Sequence, residues 1–284
     1  MSINFHELRQ WVGREEMRSD QVSPTPLQAL AAALDREDPV PEPGDPTPPC
    51  WHWLYFLPLN RQSQIGPDGH PRRGGFLPPV PLPRRMWASS RLEWTRPLRV
   101  GQPVTRTSRI ADVSVKEGRT GPLVFVRVRH EIGDGTGQCL VEEQDIVYRD
   151  MPKAGEGAPP DSMAPTVHDF AREIRPDPVL LFRYSALTFN GHRIHYDRDY
   201  ATETEGYPGL VVHGPLIATL LLDLLRRHRP DARVTRFAFR AMKPTFDLRT
   251  FKVCGAFGEG ARSVRLWAEH GTGALAMDAT ATLA

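Results

Sequence analysis

The chain has 284 residues, enough for about two domains at ~150 residues each. Hydrophobic residues make up 40% and charged residues 25%, the balance of an ordinary globular protein. Lys and Arg number 36 against 34 Asp and Glu, so the net charge is +2 with no like-charge block, and nothing points to nucleic acid. Three cysteines, Cys50, Cys139 and Cys254, are far apart and form no CxxC pair, so neither a disulfide framework nor a thiolate zinc site is indicated. The N-terminal stretch MSINFHELRQWVGREEMRSD is charged throughout and lacks the apolar core of a signal peptide. The most apolar run, LVVHGPLIATLLLDLL, is shorter than a membrane span and is interrupted by His213, Gly214, Pro215 and Asp223. A cytoplasmic protein without membrane contact is the expectation.

Residues 3–18 and 26–35 are predicted as helices, the second because LQALAAALD is rich in helix formers and follows Thr25-Pro26. The proline-dense stretch DPVPEPGDPTPPCWHWLYFLPLN cannot be regular helix. Its aromatic cluster, Trp51, Trp53, Tyr55 and Phe56, implies that this loop packs against something. A second irregular stretch, IGPDGHPRRGGFLPPVPLPRR, combines Gly and Pro as turns do. From Met86 onward RLEWTRPL, PVTRTSRIADV, PLVFVRVRHEI and CLVEEQDIVY read as consecutive antiparallel strands, with Val124, Val126 and Val128 on one face. Residues 151–168 read as a linker. Beyond it PVLLFRYSALT suggests a strand, 214–227 a helix, and RVTRFAFRA, TFKVCGAFG, SVRLWAEH and ALAMDATATL four more strands. A faint echo links RLEWTRPLRVGQPV to RFAFRAMKPTFDL. Helical material followed by consecutive strands, twice over, suggests two α+β units, each a sheet wrapped around a helix.

The segment LTFNGHRIHYDRDYA, followed by His213-Gly214-Pro215, leaves three readings open on its residues alone. His192, His195 and His213 could bind zinc with an open fourth position. They could be one buried and two solvated histidines. Or His195 could exchange protons near neutral pH beside the helix start at Gly214, whose free N–H groups can hold an oxyanion. Proton transfer beside an oxyanion hole is what hydration of an enoyl thioester requires.

The segment resembles the hydratase motif of the (R)-specific enoyl-CoA hydratase and MaoC-like dehydratase family, S/T-G-D-x-N-P-[I/L]-H-x-D-x-x-[A/Y]-A with a later HG. His195 falls on the motif histidine, Asp197 on the acidic residue, Ala201 on the small one and His213-Gly214 on the HG pair. The family's catalytic aspartate is Asn190 here, the glycine before it is Phe189, and the motif's Asn-Pro is His192-Arg193. The variant YSALTFNxHRIHYD, with DGHPRRGGFLPPVPLPRRMWA in the first half, is similar to a double hot-dog branch. That branch includes mesaconyl-CoA and itaconyl-CoA hydratases and mitochondrial-type 3-hydroxyacyl-thioester dehydratases.

The resemblance implies an α+β double hot-dog, two antiparallel sheets each wrapped around a central helix. Residues 1–150 would form a non-catalytic hot-dog that shapes the substrate tunnel, and 169–284 the hot-dog with the motif. It implies reversible hydration of a branched dicarboxylic enoyl-CoA, itaconyl-CoA or mesaconyl-CoA giving citramalyl-CoA, as in itaconate degradation. His195 would shuttle the proton, Asn190 orient water and the Gly214 N–H polarise the thioester. Arg193, Arg183, Tyr184, His213 and His192 would contact substrate, with the arginines of PRRGG and PRR as further partners for its carboxylate. No cofactor and no metal are expected, the CoA thioester being the substrate. Homodimers are an unsurprising assembly. A dehydratase of fatty-acid synthesis acting on longer 3-hydroxyacyl thioesters on CoA or a carrier protein, and an inactive acyl-CoA-binding protein, are the competing readings.

Overall fold

The computed structural model describes residues 4–118, 121–151 and 160–284. Alternation in the middle of the chain produces long paired strands. β3 (Pro103–Gly118) and β4 (Gly121–Asp134) run antiparallel from Val104↔Asp134 to Gly118↔Gly121. Along β4 every second residue from Val124 to Ile132 is buried, so the valine face seen in the sequence turns into the core. β5 (Gly137–Arg149) continues the meander, and β2 (Arg84–Trp94) pairs on its far side.

The second half repeats this plan. β7 (Val234–Ala241), β8 (Phe251–Phe257), β9 (Ser263–His270) and β10 (Leu275–Leu283) follow a 15-residue helix, α4 (Gly214–His228). β1 (Glu15–Gln21) and β6 (Phe170–Ile174) are the outer strands of the two halves, and the order is β1-β3-β4-β5-β2-β7-β10-β9-β8-β6. Reading inward from either edge, the strands take the same places in chain order. This is the double hot-dog architecture. The two expected sheets are continuous: β2 pairs with β7 from Ser89↔Arg240 to Glu93↔Arg236. These paired segments are the two that echo each other in sequence.

α4 fits its place by composition. Leu216 to Leu225 is wholly buried against β6, β8, β9 and β10. The one charge in that stretch, Asp223, is 4% exposed and held by Arg36 at 2.8 Å, Arg172 at 3.1 Å and Arg227 at 2.8 Å. The first half's helix, α2 (Pro24–Ala33), has 10 residues and packs against α3 (Pro178–Thr188) of the second half. One apolar core therefore joins residues of both halves.

Two predicted elements are corrected. The helix over 3–18 is only α1 (Phe5–Arg9). Gly13, at φ 88°, turns the chain, and 15–21 then pairs with β3 as an edge strand despite its polarity. PVLLFRYSALT is the helix α3, not a strand. Asp177 caps it by accepting the Val179 and Leu180 N–H groups at 2.9 and 3.1 Å, and Pro178 starts it, so the cap outweighs the aromatic and branched composition. Of the expected 151–168 linker, residues 152–159 lie outside the described residues. No helix among the described residues is long and apolar enough to cross a membrane.

Candidate active site

Phe189 closes α3 in the left-handed region, at φ 49° and ψ 35°. The chain then turns at Asn190-Gly191, and Asn190 Oδ1 accepts the His192 N–H at 3.1 Å. A 3₁₀ turn over Arg193–His195 carries the His195 ring inward, 8% exposed. Its Nδ1 lies 2.7 Å from the Val211 carbonyl oxygen. A carbonyl only accepts, so Nδ1 carries the proton and Nε2 keeps a free lone pair. Burial pushes the His195 imidazolium down to about 4, although the Val211 bond pulls the other way, so the ring is a neutral base at pH 7.

His213 stacks on His195 with ring centroids 3.7 Å apart and planes 19° apart. Its Nε2 lies 2.8 Å from Ser185 Oγ on α3. This geometry removes the zinc reading. Imidazole ligates in its ring plane, and two face-stacked rings cannot aim their nitrogens at one ion. His192 instead meets His70, with ring centroids 4.0 Å apart. Asp68, His70 and His192 have ligand-type atoms all within 4.8 Å of one another.

His213 is also the N-cap of α4, so Gly214 and Pro215 are its first two residues. Pro215 gives up no bond there. The Gly214 N–H has no backbone acceptor among the described residues and lies in the cavity wall. A Cβ at Gly214 would meet only the Trp87 carbonyl, at 4.0 Å. Protein packing therefore leaves room for a side chain, and its lack opens the N–H to whatever enters.

These groups face one cavity of about 1020 Å³ walled by both halves. Tyr184, Asn190, His192, Arg193, His195 and Gly214 line it from the second half, and Trp53, Phe56, His70, Arg85, Arg106 and Tyr148 from the first. Two expected contacts are corrected. His213 is fully buried, stacked on His195, and is not part of the wall, so its ring lies behind the cavity surface. Arg183 is exposed outside the cavity, because a step of one residue along α3 from Tyr184 turns it away. Arg193 is in the wall but engaged: Asp197 holds it at 2.8 Å, the Pro67 carbonyl accepts from it at 3.1 Å, and it lies over the Tyr200 ring.

The first half's aromatic loop is anchored by a buried carboxylate that sequence reasoning missed. Glu142 on β5 is 1% exposed and accepts from His52 Nε2 at 3.0 Å, Trp53 Nε1 at 3.0 Å and Ser90 Oγ at 2.9 Å. Burial alone would raise its carboxyl, but the bonds from His52 and Trp53 hold it well below the usual range. Trp87 donates to the same Ser90 Oγ at 2.9 Å, and Trp53 and Trp87 meet edge-on at 5.2 Å. The two rings so fixed form cavity wall. This is what the WHWLYF cluster packs against. The signal was a glutamate inside the apolar alternation of CLVEEQDIVY.

A neutral histidine base, a free N–H at a helix start and a large partly apolar cavity can move a proton beside a polarised carbonyl. Residues 50–247 match the family described as hydroxyacyl-thioester dehydratase type 2. The chain belongs to this family. The family is one of hydratases and dehydratases, so the protein is a hydro-lyase whose chemistry adds or removes water. Along 276 residues it is 50% identical to mesaconyl-C(4)-CoA hydratase of Chloroflexus aurantiacus, covering 96% of each chain. Among solved structures, a MaoC-like dehydratase from Phytophthora capsici superposes with a TM-score of 0.68 at 16% identity, over 99% of this chain and 98% of that one. A Mycobacterium tuberculosis protein described as having a double hotdog fold gives 0.62 at 14% identity, over 99% and 98%. At such identity the likeness is one of fold. Within this dehydratase family frame, the exposed Phe189 takes the left-handed backbone where the hydratase motif has glycine, and Asn190 stands where that motif has its acid.

Proposed function

We propose that the protein reversibly hydrates a short, branched, dicarboxylic enoyl-CoA, mesaconyl-CoA to citramalyl-CoA. In a mesaconyl thioester whose CoA is on the unsubstituted end, Cβ carries both the methyl group and the free carboxylate. The carboxylate is then one bond from the carbon that water attacks, and a cation must stand close to the base. Arg85 carries this reading. It lines the cavity, it acts electrostatically on both His70 and His192, and among the described residues it has no carboxylate partner. Of the other arginines of the two motifs, Arg84 is held by Glu205 at 3.1 Å and Arg73 by the Val80, Leu82 and Pro83 carbonyls, while Arg72 lines the cavity as an exposed residue whose Nε donates to the Ile65 carbonyl at 3.5 Å. The identity of half the residues with a mesaconyl-C(4)-CoA hydratase supports the same substrate class.

His195 Nε2 takes a proton from water as the oxygen bonds to Cβ. The Gly214 N–H receives the charge that develops on the thioester oxygen. His195 then returns the proton to Cα. Itaconyl-CoA fits less directly, because its double bond is not conjugated with the thioester and must first be isomerised.

The test is a panel of crotonyl-, mesaconyl- and itaconyl-CoA with product identification, run beside Arg85→Gln and His195→Ala. Mesaconyl-CoA is the expected preferred substrate, Arg85→Gln should lose that preference, and His195→Ala should lower kcat by ~10²–10⁴. A preference for crotonyl-CoA that Arg85→Gln leaves unchanged would favour a dehydratase of unbranched acyl thioesters. A His195→Ala variant of near-normal rate would remove the proton shuttle.

A further inference from the structure

The acid missing at Asn190 has a counterpart on the other half of the molecule. The loop Gly66–His70 of the first half is pressed onto the Asn190–Arg193 turn of the second. Gly69 sits at φ 86°, where a Cβ would fall 1.7 Å from the Gly191 carbonyl oxygen, and a Cβ on Gly191 would fall 2.7 Å from that of Gly69. Two glycines thus allow backbone-to-backbone contact that side chains would forbid. The Arg193 N–H donates to the Asp68 carbonyl at 2.9 Å, the Arg193 guanidinium donates to the Pro67 carbonyl at 3.1 Å, and the loop closes on itself through Gly66 N–H to the His70 carbonyl at 2.7 Å. The consequence is that His70 enters the cavity beside His192, which in turn lies 5.4 Å from His195 between ring centroids.

His70 is oriented as a base should be. Asp68 accepts its backbone N–H at 3.0 Å on one oxygen and faces its Nδ1 at 3.2 Å with the other. Burial works against ionisation of Asp68, and the bonds from His70 overcome it, so the carboxylate is charged and can only accept. Nδ1 of His70 therefore carries the proton, and Nε2 is a lone pair without a partner among the described residues. Burial, with Arg85 nearby, pushes the His70 imidazolium down to about 4, so this ring too is neutral at pH 7.

We propose that His70, held in its tautomer by Asp68, is a second catalytic residue of the site, gripping the water that His195 deprotonates and so replacing the acid absent at Asn190. The inference rests on the hydration reading above. One O–H of the water points to His195 Nε2 and the other to His70 Nε2. The first O–H bond breaks and its proton goes to His195, while the oxygen bonds to Cβ and the C=C pair moves towards the thioester. His195 then gives that proton to Cα. The second O–H stays intact and remains on the product hydroxyl, bonded to His70. In the reverse direction His70 holds the departing hydroxyl. Asp68 acts through His70 and is a positioning residue.

The experiment compares His70→Ala, Asp68→Asn and His195→Ala on mesaconyl-CoA, with added imidazole and with thermal midpoints measured alongside. His70→Ala is expected to lower kcat by ~10² or more with KM little changed, and imidazole to restore part of the rate. Asp68→Asn is expected to lower kcat towards the same level, because an amide N–H facing Nδ1 favours the tautomer whose Nε2 is a donor. A His70→Ala variant within about threefold of the parent while His195→Ala is inactive overturns the role of His70 and leaves hydration standing. Loss of kcat that imidazole does not restore, with a lowered thermal midpoint, also overturns it, as the loop would then be only structural. So does one equivalent of a divalent metal retained by the purified enzyme and needed for activity, since a metal on Asp68, His70 and His192 would occupy the nitrogen meant for water. An enzyme that hydrates no enoyl-CoA of the panel fails the hydration reading itself.

Discussion

The two halves share one strand plan and differ where their central helices begin. α2 starts Pro24-Thr25-Pro26, so two of its first three residues have no N–H to offer. α4 starts Gly214-Pro215 and presents the Gly214 N–H to the cavity. The second half adds the His192–His195 turn, whereas the first adds a long loop, its arginines and the buried Glu142. The comparison shows how a duplicated fold divides its work. One copy brings a helix start and His195 to the cavity, and the other supplies aromatic walls and arginines to it.

The largest expected effect comes from making the two helix starts alike. In Gly214→Pro the N–H is lost, yet proline is tolerated at a first helical position and His213, at φ −61° and ψ 129°, has a backbone that precedes proline comfortably. We expect kcat to fall by ~10²–10³ with the thermal midpoint nearly unchanged. A near-normal kcat would show that the helix start is not the oxyanion site and that the halves differ for another reason.

The pH dependence of stability, which the two halves share, comes next. His192, His195 and His213 in the second half and His70 and His130 in the first are all held below the usual histidine value, burial being the main cause. The unfolded chain takes up protons below about pH 6.5 that the folded chain refuses until about 4 at His70, His130 and His195, and His192 and His213 are shifted in the same direction. Stability is therefore fully present above 6.5 and falls as pH drops towards 4, by ~1.4 kcal/mol per pH unit for each such histidine. Urea midpoints at pH 7, 6 and 5 should fall in step, and His130→Gln should flatten the slope without touching kcat. Midpoints that do not move between pH 7 and 5 would contradict the buried neutral rings.

The smallest effect is at the helix end before the motif turn. Phe189→Gly removes a left-handed backbone from a residue with a Cβ, offset by glycine's extra freedom in the unfolded chain, for a net gain of about 0.5 kcal/mol. A small rise in the thermal midpoint checks it. A large change in KM instead would mean that the exposed Phe189 ring touches the substrate.

Alternation in the strands from Met86 to Tyr148 and from Arg233 to Leu283, and the apolar run of α4, were legible because burial on one face imposes a short period on the residues themselves. His195, Asn190, Tyr184, His192 and Gly214 were legible as a motif because they lie close along the chain and now share one cavity wall. The edge strands β1 and β6 were not, since an edge strand is fixed by a partner distant in sequence. Neither was the difference between His195, with its nitrogen in the cavity, and His213, buried beneath it. Which arginine lacks a carboxylate partner was also hidden: Arg193 and Arg84 look no different from Arg85 until Asp197 and Glu205 are brought beside them. The sequence by itself determined the repeated sheet, the buried helix and the base with its helix start, all properties of local pattern. Only the tertiary structure decided that Gly69 and Gly191 touch, that Asp68 and His70 are brought beside His192, and that Glu142 fixes the aromatic wall. Those depend on contacts across the two halves, which no local pattern records.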